Sequence, residues 1–203
     1  IAAVGHFWKA WGSKLIGLVI VAALTVSAVF GYHWYRGQQS IKAMNLYNQV
    51  LADARAADTD KLAASLKALQ DGYPHTLPAQ QAQLLAARVF YEKGQVDNSR
   101  AALLTASQGQ DKGLQSTAKL QLAAILIEQQ QYDEAIKQLS GPLDPNYTAL
   151  AADRMGDAYA LQNKHEDAIK AYTQAFNGME ATQPYRQMVA AKLSGLGVDV
   201  TSL

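Results

Sequence analysis

Residues 15 to 32 carry no charge, and all three tryptophans of the chain stand at the edges of that stretch, Trp8 and Trp11 before it and Trp34 after. The apolar run from Leu15 to Phe30 is ringed by Phe7, Trp8 and Trp11 on one side and by Tyr32, Trp34 and Tyr35 on the other. Amphipathic rings favour the headgroup level of a bilayer, so this is the layout of a membrane span with two aromatic belts. A helix from Trp11 to Trp34 would measure roughly 34 Å at ~1.5 Å per residue, against a hydrocarbon core of about 30 Å. A secretory signal peptide is the rival reading, with Val26-Ser27-Ala28 as its cleavage site. The aromatic cluster beyond the apolar run suits a permanent interface better than a cut end, so a retained anchor is expected. The chain begins at isoleucine, and a short piece is expected to precede Ile1.

Charge divides the chain as the apolar run does. No Asp or Glu occurs before Asp53, so the first segment carries only Lys9, Lys14, Arg36 and Lys42. The net charge of +1 is therefore the sum of a basic anchor and a slightly acidic remainder, and nucleic acid is not indicated. Basic residues on both flanks favour anionic headgroups but leave orientation open. The absence of cysteine excludes a disulfide framework and fits either redox compartment. Within the span, Ala23, Ser27 and Gly31 recur every four residues, as do Ser13 and Gly17. Small residues at that spacing let another membrane helix approach closely, although they are also common in spans without such a role.

Beyond Gly37, expected to let the anchor bend away, the chain is rich in Ala, Leu, Gln and Lys, and lacks strand-type alternation. Breaks near Asp58, Gly72-Tyr73-Pro74, Gly94, Gly109 to Gly113, Gly141 to Pro145, Asn163 and Asn177-Gly178 separate helical segments that pair into hairpins. Those hairpins resemble one another. Residues 149–182 carry Gly156, Tyr159, Ala168, Tyr172 and Ala175; the copy from Ser116 carries Ala123, Leu126, Ala135 and Leu139; the copy from Gln80 carries Ala87, Phe90, Ser99, Leu103 and Ala106. Small residues let paired helices approach while the large ones fill the gap. The start points are about 36 and 33 residues apart, bracketing the ~34 of a tetratricopeptide repeat. The expected fold is all-α: an N-terminal single transmembrane helix (1–36), then a tetratricopeptide-like helical-hairpin solenoid (37–203). Hairpins are expected near 41–72, 80–113, 116–145 and 149–182, with a capping helix over 184–195 opened by Pro184.

Chemistry-bearing patterns are sparse. His6, His33, His75 and His165 lie apart, with no second ligand at i+3 or i+4, so neither a metal nor another cofactor is expected. Asp133-Glu134 and Glu166-Asp167 begin second helices, where negative charge complements the helix N-terminus. No glycine-rich phosphate loop, nucleophile elbow or HExxH motif occurs, and an enzyme is the least expected class. The candidate surface is the face built by the first helices: Gln81, Leu84, Arg88 and Tyr91; Thr117, Leu120, Ala124 and Ile127; Leu150, Asp153, Asp157 and Leu161. Its mixture of apolar and charged side chains suits an extended peptide or a partner helix. The bland alternative is a solvated face, or one filled by the chain itself.

The combination of anchor and first hairpin resembles the YfgM-type ancillary subunit family of the bacterial SecYEG translocon. Phe7-Trp8-Lys9, Gly12 and Lys14, then Gly31-Tyr32, Trp34-Tyr35, Gln38-Gln39-Ser40, Ala43 and Leu46-Tyr47 carry the likeness. It extends in layout to the closing Met188 to Leu193 segment, but the family's acidic cytoplasmic start is missing. The resemblance implies a cytoplasmic N-terminus and a periplasmic repeat domain in the inner membrane. As partners it implies the Sec channel and a PpiD-type membrane-anchored chaperone, with a role in assisting secreted chains. It brings no catalytic residues.

Overall fold

The computed structural model describes residues 2–202, with side chains described from Gly17 to Thr201. Every regular element among the described residues is helical: α1 (Ala2–Ala56), α2 (Thr59–Gly72), α3 (Leu77–Glu92), α4 (Val96–Ala106), α5 (Lys112–Glu128), α6 (Tyr132–Leu139), α7 (Thr148–Leu161), α8 (His165–Gly178) and α9 (Pro184–Gly195). Single 3-10 turns occur at Pro145–Tyr147 and Val200–Ser202. The chain divides into two compact units, Ile1–Lys42 and Ala43–Leu203.

The first unit is the greater part of α1. Its apolar stretch is long enough to cross a membrane, and none of that stretch is buried by the rest of the chain. Leu18, Leu24, Phe30 and Trp34 are each about two-thirds or more exposed. Thr25 Oγ1 donates to the Val21 carbonyl at 2.8 Å, which satisfies that hydroxyl without water. The helix passes through Gly37 unbroken, so the joint expected there is absent. A single interior glycine costs a helix only ~1 kcal/mol relative to alanine, too little to stop one flanked by good helix formers.

The second unit is a run of helical hairpins whose turns repeat one motif. Ala57, Gly94, Gln130 and Asn163 are the left-handed residues that end α1, α3, α5 and α7, with φ of 51°, 74°, 60° and 60°. After each, the next amide donates to the carbonyl five residues back: Asp58 to Asp53 (3.3 Å), Gln95 to Phe90 (2.8 Å), Gln131 to Leu126 (2.8 Å) and Lys164 to Tyr159 (2.9 Å). That bond closes a Schellman turn, which satisfies orphan helix carbonyls and reverses the chain tightly. Three helices are opened by side-chain caps, Asp58 accepting from Lys61 N, Thr76 from Ala79 N and Asp111 from Leu114 N. Buried Gln80 pins the loop between α4 and α5: its amide donates to Ala106 O and Asp111 O at 2.9 and 3.1 Å, and its oxygen accepts from Asp111 N at 3.0 Å.

The interior falls into three successive clusters. Val50, Leu62, Leu69 and Phe90 anchor the first, where the end of α1 meets α2 and α3. Leu103, Leu122, Leu126 and Leu139 anchor the middle one, and Tyr172, Phe176, Val189 and Leu193 the last, where α9 covers α7 and α8. Small residues set the approach of paired helices. At Gly156 a Cβ would lie 2.5 Å from the Tyr172 ring, so α7 passes α8 at a distance only glycine permits.

Candidate functional site

Two surfaces are the candidates: the exposed side of α1 and the face formed by α3, α5 and α7. On α1, Gly17, Ala23, Ser27 and Gly31 are all exposed, and a Cβ at Gly17 or Gly31 would touch nothing within 4 Å. Residues four apart share a helix face, so Ala23, Ser27 and Gly31 form one shallow strip. The side chains of Ser13, Trp8 and Trp11 lie outside the described residues. Tyr32, Trp34 and Tyr35 are exposed; the Arg36 guanidinium sits 5.6 Å from the Tyr32 ring centre, and Gln39 Nε2 donates to Tyr35 Oη at 2.8 Å. An apolar surface of this extent with a polar aromatic border is what a bilayer or a membrane helix covers.

The first-helix face separates into a crevice, a packed stretch and a clasp. Arg88, Tyr91 and Ala124 are brought together around a crevice of about 260 Å³ between α3, α4 and α5, floored by Ala87, Leu103 and Ile125. Arg88 Nε is ion-paired with Glu92 at 2.8 Å, and Tyr91 Oη donates to Glu128 Oε2 at 2.6 Å across the crevice mouth. The neighbouring carboxylate holds the Tyr91 phenol above its ordinary pKa. Gln81 is half-buried. Leu84, Ile127 and Leu150 pack against the middle cluster, and Leu120 belongs to that cluster rather than lining the face. Thr117 donates to Gly113 O at 2.9 Å and contacts Tyr147 Oη at 3.3 Å. Leu161 is exposed.

Asp153 and Asp157 are withdrawn from the face by α9. Asp153 is fully buried. Lys192 Nζ reaches Asp153 Oδ1 and Asp157 Oδ1, each at 2.7 Å. Tyr185 Oη donates to Asp153 Oδ2 at 2.7 Å, and Tyr172 Oη donates to Asp157 Oδ1 at 2.8 Å. Arg154 Nη1 lies 3.6 Å from Asp157 Oδ2. Each carboxyl group thus meets several donors, as polar groups drawn into the packing require. This is a clasp that docks α9, with its carboxylates occupied rather than poised for proton transfer. Residue patterns in α7 could not reveal it, because Tyr185 and Lys192 lie more than 30 positions downstream; their own spacing of seven, one helix face, was the available signal.

The clasp has a pH signature. Burial first, then the hydrogen bond to Asp153, pushes the Tyr185 phenol from 10.0 up to about 12, and Tyr172 is raised for the same kinds of reason. An acid held protonated in the folded state stabilises fully below its unfolded pKa and loses that contribution as pH rises to the folded value. Tyrosinate absorbance should therefore report Tyr185 ionising near pH 12, while the stability it lends to the docking of α9 declines between about pH 10 and 12. In Tyr185→Phe that component should vanish; an unchanged titration would contradict the assignment.

Among the described residues no cluster of three His, Cys, Asp or Glu is placed to hold a metal ion. His165 opens α8 at the surface.

Repeated hairpins closed by one turn motif, stacked through small residues and capped by a final helix, define a tetratricopeptide-like protein, here carrying an exposed apolar N-terminal helix. The family model for a tetratricopeptide repeat-like domain matches residues 5–198. The ancillary SecYEG translocon subunit of Neisseria gonorrhoeae is 32% identical over 196 residues, covering 94% of this chain and 92% of its own. That of Escherichia coli is 23% identical over 212 aligned positions, covering 98% and 95%. The chain belongs to the family of ancillary SecYEG translocon subunits.

Proposed function

We propose that this protein is a non-enzymatic accessory of the Sec channel in the bacterial inner membrane. Its span holds a periplasmic repeat domain, with the N-terminus in the cytoplasm. The domain links the channel to a PpiD-type periplasmic chaperone and assists secreted or envelope proteins as they emerge. The observation that carries this reading is the 32% identity to the gonococcal translocon subunit, which runs through both anchor and repeats. The physical logic is tethering: a module fixed at the exit site meets its partners at high effective concentration, so weak contacts suffice. The α1 strip is one route to contact and the first-helix face the other. A direct client-binding role is favoured by a specific observation, the open crevice between α3 and α5. A regulator or assembly factor of a different envelope complex is the competing class.

Photocrosslinking side chains placed at Ala23, Ser27 and Gly31, and separately at Arg88 and Tyr91, test the reading in intact membranes. Channel adducts are expected from the α1 strip, and chaperone or secreted-chain adducts from the repeat face. Solubilisation in mild detergent, with identification of the bound chains, separates the competing classes. If neither set yields translocon or chaperone adducts, the reading fails.

A further inference from the structure

The α3–α4–α5 crevice has a size and charge that narrow its occupant. Its volume of about 260 Å³ falls just below the ~300 Å³ at which small-molecule sites begin. It suits one or two large side chains better than a free metabolite. The floor is apolar, and the small residues Ala87, Ser99 and Ala124 leave the space open. Two charged residues line it, Arg88 and Glu128. They are not equivalent. Arg88 is neutralised by Glu92 on its own helix at 2.8 Å, whereas Glu128 receives only the neutral Tyr91 hydroxyl at 2.6 Å. Arg100 on α4 donates to the Gln129 amide oxygen at 3.0 Å, and no ion pair to Glu128 forms among the described residues. The mouth therefore presents one carboxylate without an ion-pair partner among the described residues, fixed in direction by Tyr91, beside an apolar pocket.

We propose that this crevice receives a large apolar side chain from a protein segment in which an adjacent residue is Lys or Arg, the cation pairing with Glu128. The inference rests on the reading that the repeat domain engages emerging or partner chains, and it adds the chemistry of the segment engaged. The apolar anchor supplies most of the affinity, because burying a large side chain is the dominant favourable term. The ion pair lies at an exposed rim, so it selects among segments rather than holding them.

The full-length protein in lipid nanodiscs is titrated into three labelled Gly/Ser-flanked peptides, carrying Phe-Lys, Phe-Glu or Ser-Lys, with fluorescence anisotropy as the readout and empty nanodiscs as background. Phe-Lys should bind tightest. Replacing its Phe by Ser should weaken binding about tenfold or more, and replacing its Lys by Glu roughly two- to fivefold. Glu128→Gln should level Phe-Lys and Phe-Glu, and Glu128→Lys should reverse their order. Glu128 is exposed near a helix end, so these variants retain the fold. Ala124→Phe should fill the crevice and reduce Phe-Lys to the Ser-Lys level, its helical circular dichroism and melting checked alongside. No Phe-Lys preference in the unaltered protein, or an unchanged order in Glu128→Lys, overturns the inference. Channel adducts from the α1 strip report the broader reading separately, since Glu128→Lys leaves them intact. Lost peptide selectivity with retained adducts sinks only the inference, and lost adducts sink the reading beneath it.

Discussion

Lys192→Met is expected to lower the stability of the repeat domain by about 3 kcal/mol, the lower end of what breaking a buried ion pair costs. For a domain of this size, that is about 6–12 °C in Tm. Lys192 is the cation that reaches both Asp153 and Asp157 at 2.7 Å. Methionine keeps its aliphatic stem but leaves a fully buried carboxylate facing the Tyr185 hydroxyl alone. Packing is thereby nearly conserved while charge compensation is lost. The double variant Asp153→Asn/Lys192→Met should recover about 1–2 kcal/mol of the deficit, because the orphaned charge has gone. Urea unfolding of the four species in detergent gives the coupling directly. Additive losses would mean that the clasp is not an energetic unit. The first helices of other repeats should keep their native signal, since the affected cluster is confined to α7, α8 and α9.

The second large effect is a reversal of sign at Gly156. Alanine is ordinarily favoured over glycine inside a helix by about 1 kcal/mol. Here its methyl would lie 2.5 Å from two ring carbons of Tyr172, far inside contact distance. The ring cannot simply turn aside: its hydroxyl is bonded to Asp157 at 2.8 Å, and Lys192 Nζ stands 5.2 Å from its centre. Overpacking against so fixed a neighbour costs about 1–3 kcal/mol or more, so Gly156→Ala should be net destabilising by about 1–2 kcal/mol and Gly156→Val by about 3 kcal/mol. In a Tyr172→Ala background the obstacle is absent. Gly156→Ala should then stabilise by up to ~1 kcal/mol. Thermal melts of the four combinations decide it, and a destabilising Gly156→Ala in both backgrounds would refute the packing argument.

These two predictions mark where residue patterns were informative and where they were not. Gly156, Ala123 and Ala87 were legible as close-approach positions because a repeat displays its own packing rule several times over; that the Tyr172 ring is what Gly156 lies against emerges only from the structure. The turn positions at Gly94 and Asn163 were legible too, since Gly and Asn tolerate left-handed backbone; Gln130 holds the same geometry without advertising it. What stayed hidden was the division of labour along the first-helix face. Helical spacing places Leu120 and Ala124 on one side of α5, yet Leu120 belongs to the core and Ala124 opens into the crevice. Four positions on a helix do not say how far a neighbour leans over. Asp153 and Asp157 looked like free polar lining because their partners come from a helix whose docking face cannot be read from α7. Gly37 misled for the opposite reason, since local propensity on either side outweighed one flexible residue.

Because the interior is split into three clusters in series, no single hydrophobic centre holds this protein together. Fraying at one end then has no obligatory route to the other, as expected when each unit leans mainly on its neighbours. Loss of the terminal clasp should therefore loosen the last segment first, ahead of the segments that precede it.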